Sequence, residues 1–192
     1  MDSMIKTKKT LKKSLIENFG LDYSNDNKDV NMKKIVNDSL IVMKFVVSDG
    51  TPVAIPSFDF IFIGSIGSAY NIKKLEELKI THILCCAGSS RLCFPDKFDY
   101  CKLNIKDSIS EDLKNYIPEA IEYIDKVRYL KGRILVHCFQ GKSRSAALCC
   151  AYMITRGKMD YESAIDSIKL VRPLVCPNNH FILQLKKLEN AL

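Results

Sequence analysis

Gly132-Arg133-Ile134-Leu135-Val136-His137-Cys138-Phe139-Gln140-Gly141-Lys142-Ser143-Arg144-Ser145 is the stretch on which the reading of this chain turns. Ile134 to Val136 is a short apolar run that reads as a buried strand, and it ends in a small polar loop leading into an apolar helical segment, Ala146 to Ile154. The backbone N–H groups of such a loop, together with the unpaired donors and dipole of the helix start, converge on one point and favour a dianion, so a phosphate fits there. Cys138 opens the loop and Arg144 follows after five intervening residues. The guanidinium can then clamp two phosphate oxygens while the sulfur faces the phosphorus.

Only a thiolate attacks efficiently. A free cysteine titrates at about 8.5, and helix N-termini or cationic neighbours lower this to roughly 3.5–7.5. A cradle built for phosphate therefore activates its own nucleophile. Ser145 is placed to donate its hydroxyl to the sulfur and help it leave, and His137 to orient the loop through hydrogen bonds.

His137-Cys138, five residues and Arg144-Ser145 together resemble the signature of the cysteine-dependent protein phosphatases, and Gly141, Ser143 and Ser145 match their dual-specificity branch. The resemblance runs from about Phe58 to Leu188. It implies an α/β fold with a central mixed, largely parallel sheet flanked by helices. It further implies phosphate binding by Phe139, Gln140, Gly141, Lys142, Ser143 and Arg144, and hydrolysis through a phosphocysteine, with no cofactor and no metal. Gln140 departs from the branch pattern, where a small residue is usual, and Lys142 adds charge at the rim.

The reaction also needs a general acid for the leaving oxygen and then a base for the attacking water. Phe98 to Ile105 reads as a strand, followed by the polar loop Lys106-Asp107-Ser108-Ile109-Ser110-Glu111-Asp112, where Asp107, Glu111 and Asp112 are all candidates. Glu111 and Asp112 lie closer to the next helix, where acidic side chains ordinarily complement the dipole. The resembled family supplies its acid just after this strand, and Asp107 is the matching residue. The linker Arg172-Pro173-Leu174-Val175-Cys176-Pro177-Asn178 resembles the family's Arg-Pro and Pro-Asn turn, which implies that Asn178 braces the phosphate loop. Read on its own, Asn178 is a helix cap.

The remaining elements follow from periodicity and punctuation. Ile61 to Ser65 and Ile80 to Cys86 read as strands, and Asn71 caps a helix through about Leu78. After Pro118, Ala120, Ile121, Ile124 and Val127 form a helical stripe that Gly132 ends, and Arg156-Gly157 stops the signature helix. Asp160 and Asn178 cap the last two helices. The family pattern places Ser89, Ser90 and Arg91 near the rim of the site.

The 192 residues, 47% of them hydrophobic, suffice for one globular domain with a substantial core. No apolar run approaches the roughly 18 residues of a membrane span, and the charged first residues carry no secretory h-region. The eight cysteines sit in apolar contexts without Cys-x-x-Cys spacing, which reads as reduced buried thiols in a cytoplasmic or nuclear protein rather than as disulfides or zinc ligands. Cys85, Cys86 and Cys176 are candidates to rescue an oxidised Cys138 as a disulfide. A net charge of +7 favours phosphorylated or acidic partners, and no nucleic-acid-binding pattern accompanies it.

Residues 1–56 read as a basic extension and linker ahead of a catalytic domain at 57–192. Lys6, Lys8, Lys9, Lys12 and Lys13 precede Leu15, Ile16 and Phe19, a basic amphipathic segment suited to a calmodulin-like protein, an acidic membrane or the docking groove of a MAP-kinase-like protein. Leu40 to Val47 reads as a strand that the extension adds to the core sheet, with a turn at Asp49-Gly50-Thr51-Pro52. The expected activity is hydrolysis of phosphotyrosine and phosphoserine or phosphothreonine in proteins. The competing readings are a phosphoprotein-binding pseudophosphatase, and the same chemistry on a phosphoinositide or an RNA 5′-phosphate.

Overall fold

A computed structural model describes residues 44, 48–88 and 92–192 of the chain. Five strands, β1 (Val53–Ile55), β2 (Phe58–Gly64), β3 (His82–Cys85), β4 (Asp99–Lys102) and β5 (Ile134–His137), form one sheet in the order β1-β2-β5-β3-β4. β1 pairs with β2 antiparallel, and β2, β5, β3 and β4 run parallel to their neighbours, so the sheet is mixed and mostly parallel. The added edge strand is Val53–Ile55. Of the strand expected at 40–47 only Lys44 is described; it is helical, as are Ser48 and, at the start of the expected turn, Asp49.

Parallel strands at the middle of a sheet are covered on both faces, which is why the stretches 60–63, 83–85 and 134–136 within them are apolar without interruption. Alternate side chains serve different cores. Ile61, Ile63, Leu84, Ile134 and Val136 pack with the helices α3 (Ile117–Tyr129), α4 (Arg144–Gly157), α5 (Tyr161–Val171) and α6 (Asn179–Glu189). Phe62, Ile83 and Leu135 face the short helices α1 (Ile66–Tyr70) and α2 (Ile72–Glu77) together with Cys93 and Phe98. α4 is the centre of the larger core: every residue from Ser145 to Ile154 is buried, and α3, α5 and α6 all pack on it.

Two helices end at or just before the glycines expected to stop them, but the left-handed residue at each end is a lysine. α4 continues through Gly157 and the left-handed residue is Lys158, at φ 54°; Gly157 is needed because a Cβ there would meet the Phe58 ring at 2.7 Å. At the end of α3 the left-handed residue is likewise Lys131, not Gly132, and a Cβ on Gly132 would lie 2.7 Å from the Thr81 hydroxyl. In both places glycine answers a close approach rather than a backbone angle. α1, capped by Ser65 and buried throughout, lacks the length for a periodic pattern and had no counterpart among the expected elements.

The parallel run puts the carboxyl ends of β2, β5, β3 and β4 on one edge of the sheet, where α/β proteins build their sites. The loop after β5 carries Cys138 to Ser143, and the loop after β4 carries Asp107. They meet because both strands point the same way.

Candidate active site

β5 delivers His137 to the sheet edge, and the chain turns through Cys138–Ser143 before α4 starts at Arg144. All five carbonyls from Cys138 to Lys142 have partners outside the loop. Cys138 O lies 3.3 Å from Nδ1 of His137. Phe139 O accepts from the Ile66 N–H at 3.0 Å and Lys142 O from the Cys176 N–H at 2.9 Å. Gln140 O and Gly141 O accept from Nη2 and Nε of Arg172 at 3.0 and 2.8 Å. In a trans peptide the N–H points opposite to the carbonyl before it, so these ties turn the N–H groups of residues 139 to 143 toward the cleft. The Lys142 N–H contributes to holding the Cys138 thiol low, in keeping with this orientation. Gly141 makes the turn possible at φ +65°, and a Cβ there would lie 2.4 Å from Gly64 O.

The cleft, of about 240 Å³, is lined by Asp107, Cys138, Phe139, Gln140, Lys142, Ser143 and Arg144. Cys138 sits at its floor, 1% exposed, with Sγ 3.4 Å from the Ser145 hydroxyl. Burial pushes the thiol up, but hydrogen bonds from the hydroxyl and N–H of Ser145, the Arg144 charge and the Lys142 N–H outweigh it and hold Cys138 below the ordinary thiol range. The buried His137 is pulled down by desolvation, yet the neighbouring Cys85 thiol and the Cys138 carbonyl raise it above the ordinary histidine value.

Asp107 leans over this floor. Its Oδ2 is 3.5 Å from Nε of Arg144, while Oδ1 accepts from the Ser143 hydroxyl at 2.7 Å and from Nδ2 of Asn178 at 2.9 Å. Nε of Arg144 is buried and lacks a hydrogen-bond partner among the described residues, although Nη1 reaches Ile105 O at 3.4 Å. Its charge is shared between the Asp107 carboxylate and the cleft that Arg144 lines, which suits an anion there. Glu111 and Asp112 are occupied elsewhere: Glu111 accepts from Lys106 N and the Tyr116 hydroxyl, and Asp112 caps the 3₁₀ turn Leu113–Asn115.

Asn178 touches both the helix start and the phosphate loop. Its Oδ1 caps α6 by accepting from Phe181 N at 2.9 Å, while its N–H donates to the Ser143 hydroxyl at 3.2 Å. Phe139 is 36% exposed at the wall of the cleft. Ser89, Ser90 and Arg91 lie outside the described residues, as does the basic segment of residues 6–19. All eight cysteines are free, and Cys176 alone is exposed, against the expectation of buried thiols throughout. Arg172, which ties two loop carbonyls, and Asp49, its carboxylate partner, were not anticipated. Arg172 was legible as an arginine closing an apolar helix; nothing around Asp49 signals the contact.

A cysteine beneath five inward N–H groups, with an arginine at the helix start and an aspartate over the cleft, on a largely parallel sheet, is the arrangement of a cysteine-based phosphatase. Residues 61–191 match the model of the dual specificity phosphatase catalytic domain, and the chain belongs to that family. It is 36% identical to dual specificity protein phosphatase 1 of Arabidopsis thaliana over 132 residues, 69% of this chain and 67% of the relative. Dual specificity protein phosphatase 4 of Homo sapiens is 35% identical over 143 residues, 74% of this chain but 36% of that protein. Among solved structures, DUSP15 superposes with a TM-score of 0.69 at 26% identity, covering 73% of this chain and 88% of that one. The human tyrosine phosphatase-like serine/threonine/tyrosine-interacting protein does so at 0.67 and 29%, covering 74% and 97%.

Proposed function

We propose that this protein hydrolyses phosphate monoesters on phosphorylated proteins, at tyrosine and at serine or threonine, through a phosphocysteine. The observation that carries this reading is the set of five tied-back loop carbonyls, which leaves five N–H groups and the Arg144 guanidinium to hold a phosphoryl group above Cys138. The Cys138 thiolate attacks phosphorus, the bond to the leaving oxygen breaks, and Asp107 gives that oxygen its proton. A water then attacks the phosphocysteine, Asp107 takes the proton back, and sulfur leaves as thiolate with the Ser145 hydroxyl hydrogen-bonded to it. Release of phosphate from para-nitrophenyl phosphate and phosphopeptides, abolished in Cys138→Ser, tests the reading. Full activity in that variant overturns it.

One feature favours a second substrate class. Lys142 is exposed at the cleft and has no carboxylate partner among the described residues, which suits a polyanion such as a phosphoinositide or an RNA 5′-phosphate. A panel of phosphopeptides, phosphoinositide vesicles and triphosphorylated RNA, ranked by kcat/KM, separates the two. If Cys138→Ser binds phosphopeptides and the wild type turns over none of the panel, the protein is a phosphoprotein-binding module instead.

The basic segment at residues 6–19 fits an acidic docking groove on a kinase substrate of the MAP-kinase type, or a calmodulin-like protein. Binding of the full chain to each, compared with a variant whose five lysines are glutamines, tests this. Because the mechanism requires Cys138 reduced, the reading places the protein in the cytoplasm or nucleus, which imaging of a tagged chain checks. Among the described residues no helix is long and apolar enough to cross a membrane.

A further inference from the structure

Arg172 is 4% exposed at the closing turn of α5, and all three nitrogens of its guanidinium are hydrogen-bonded. Nε and Nη2 hold Gly141 O and Gln140 O, and Nη1 and Nη2 meet Oδ1 and Oδ2 of Asp49 at 2.9 and 2.5 Å. Asp49 belongs to the segment ahead of β1, 123 residues away in sequence and outside the 61–191 stretch that defines the catalytic family. That segment is itself anchored: Asp49 O accepts from the Ser65 and Ser68 hydroxyls at 2.9 and 3.2 Å, and Gly50 O from Nδ2 of Asn71 at 2.9 Å.

The geometry points to Asp49 as a positioning residue of the phosphate loop, and to Asp49–Gly50 as a strut whose release lowers turnover. This rests on the phosphatase reading above. The physical chain is short. A planar guanidinium can grip two carbonyls only in one orientation, and the bidentate carboxylate fixes that orientation from the far side. The two carbonyls in turn set the peptide planes that aim the Gly141 and Lys142 N–H groups at the cleft. Without Asp49 the buried guanidinium loses its only carboxylate among the described residues, and it turns toward the remaining acceptors or toward water. Both peptide planes then move, and a shift of about 1 Å in groups that hold a reacting centre can cost up to about 10²-fold in rate. The carboxylate acts through Arg172 and touches no substrate.

Asp49→Asn, Asp49→Glu, Arg172→Lys and the double variant Asp49→Asn/Arg172→Lys, each made in the 192-residue chain, test this below their melting temperatures, with folding checked by circular dichroism. The expected result is a loss on the order of tenfold or more in kcat/KM and in orthovanadate affinity for Asp49→Asn, with partial recovery in Asp49→Glu. The double variant should lose no more than the worse single one, because the two residues act as a unit. A folded Asp49→Asn protein with both quantities within twofold of wild type overturns the proposal, as does simple additivity of the two losses. Vanadate binding needs no turnover. If the wild-type chain hydrolyses nothing, the phosphatase reading falls while the vanadate comparison still decides the role of Asp49.

Discussion

Nδ2 of Asn178 donates to Oδ1 of Asp107 at 2.9 Å across 71 residues of chain. The contact joins the loop after β4 to the N-terminus of α6, and the Ser143 hydroxyl closes the group by donating to the same oxygen while accepting from the Asn178 N–H. Two oxygens of one carboxylate are thereby given different surroundings. Oδ1 accepts from two neutral donors, whereas Oδ2 has, among the described residues, only the Arg144 guanidinium, at 3.5 Å. Oδ2 is the atom left to exchange a proton with a leaving group or a water.

Asp107→Asn should therefore lower kcat by about 10²–10⁴-fold. The loss should be smaller for para-nitrophenyl phosphate, whose leaving oxygen needs little protonation, than for a phosphoserine peptide. KM should change little, since the phosphate is held by the loop. Steady-state kinetics on the two substrates checks this; equal losses on both would assign Asp107 a structural role.

Asn178 can be divided by substitution. Asn178→Ala removes the α6 cap, at about 1 kcal/mol, and with it the donor to Asp107. Asn178→Asp retains a capping oxygen for Phe181 N but sets a carboxylate against Asp107, where a donor stood. Thermal unfolding should show Asn178→Asp the more stable of the two, and kcat should fall in both. Near wild-type turnover in Asn178→Asp would show that the cap alone matters.

The sequence made the phosphate loop, the sheet strands and the caps at Asn71, Asp160 and Asn178 readable because each is local: a strand that stops, a side chain three residues from its donor, an apolar stripe of fixed period. Asp107 came from its resemblance to a family position, since charge and loop placement alone left Glu111 and Asp112 open. The residues that stayed hidden act at long range. Arg172 grips the loop over 31 and 32 residues and Asp49 meets Arg172 over 123, and no short pattern records a contact of that span. The glycines at 132 and 157 marked the helix ends, but what requires glycine there was hidden for a related reason: their neighbours in space, Thr81 and Phe58, are remote in sequence, and the left-handed residues are Lys131 and Lys158.

Ser145 should set the titration of Cys138. Its hydroxyl and N–H are the largest of the influences that lower the thiol, so Ser145→Ala raises the Cys138 pKa while leaving the backbone donor in place. Iodoacetate labelling of Cys138 against pH should have its midpoint below the ordinary thiol value of about 8.5 in the wild type and a higher midpoint in the variant. Stability carries the same sign. A thiol lowered on folding stabilises the native state fully above its unfolded pKa, and the contribution is lost as pH falls through the folded pKa. Urea midpoints should therefore rise with pH across that window, less steeply in Ser145→Ala and without this component in Cys138→Ser.

Gly141→Ala isolates the cradle from the nucleophile. Alanine at φ +65° costs about 1–3 kcal/mol in strain, and its Cβ would stand 2.4 Å from Gly64 O and 2.7 Å from Nη2 of Arg172. The Gly64 carbonyl belongs to the end of β2 and is fixed by the sheet, so the loop must move instead. Movement there turns away the Gly141 and Lys142 N–H groups, yet Ser145 and Arg144 remain beside the sulfur on α4, inside the rigid core. Orthovanadate affinity and kcat/KM should each fall by about 10²-fold or more, the scale of losing one preorganised oxyanion donor, while the iodoacetate midpoint of Cys138 shifts upward only by the share that the Lys142 N–H supplies. If vanadate binds Gly141→Ala as tightly as wild type, the loop N–H groups are not what holds the phosphoryl oxygens, and Arg144 carries that function by itself.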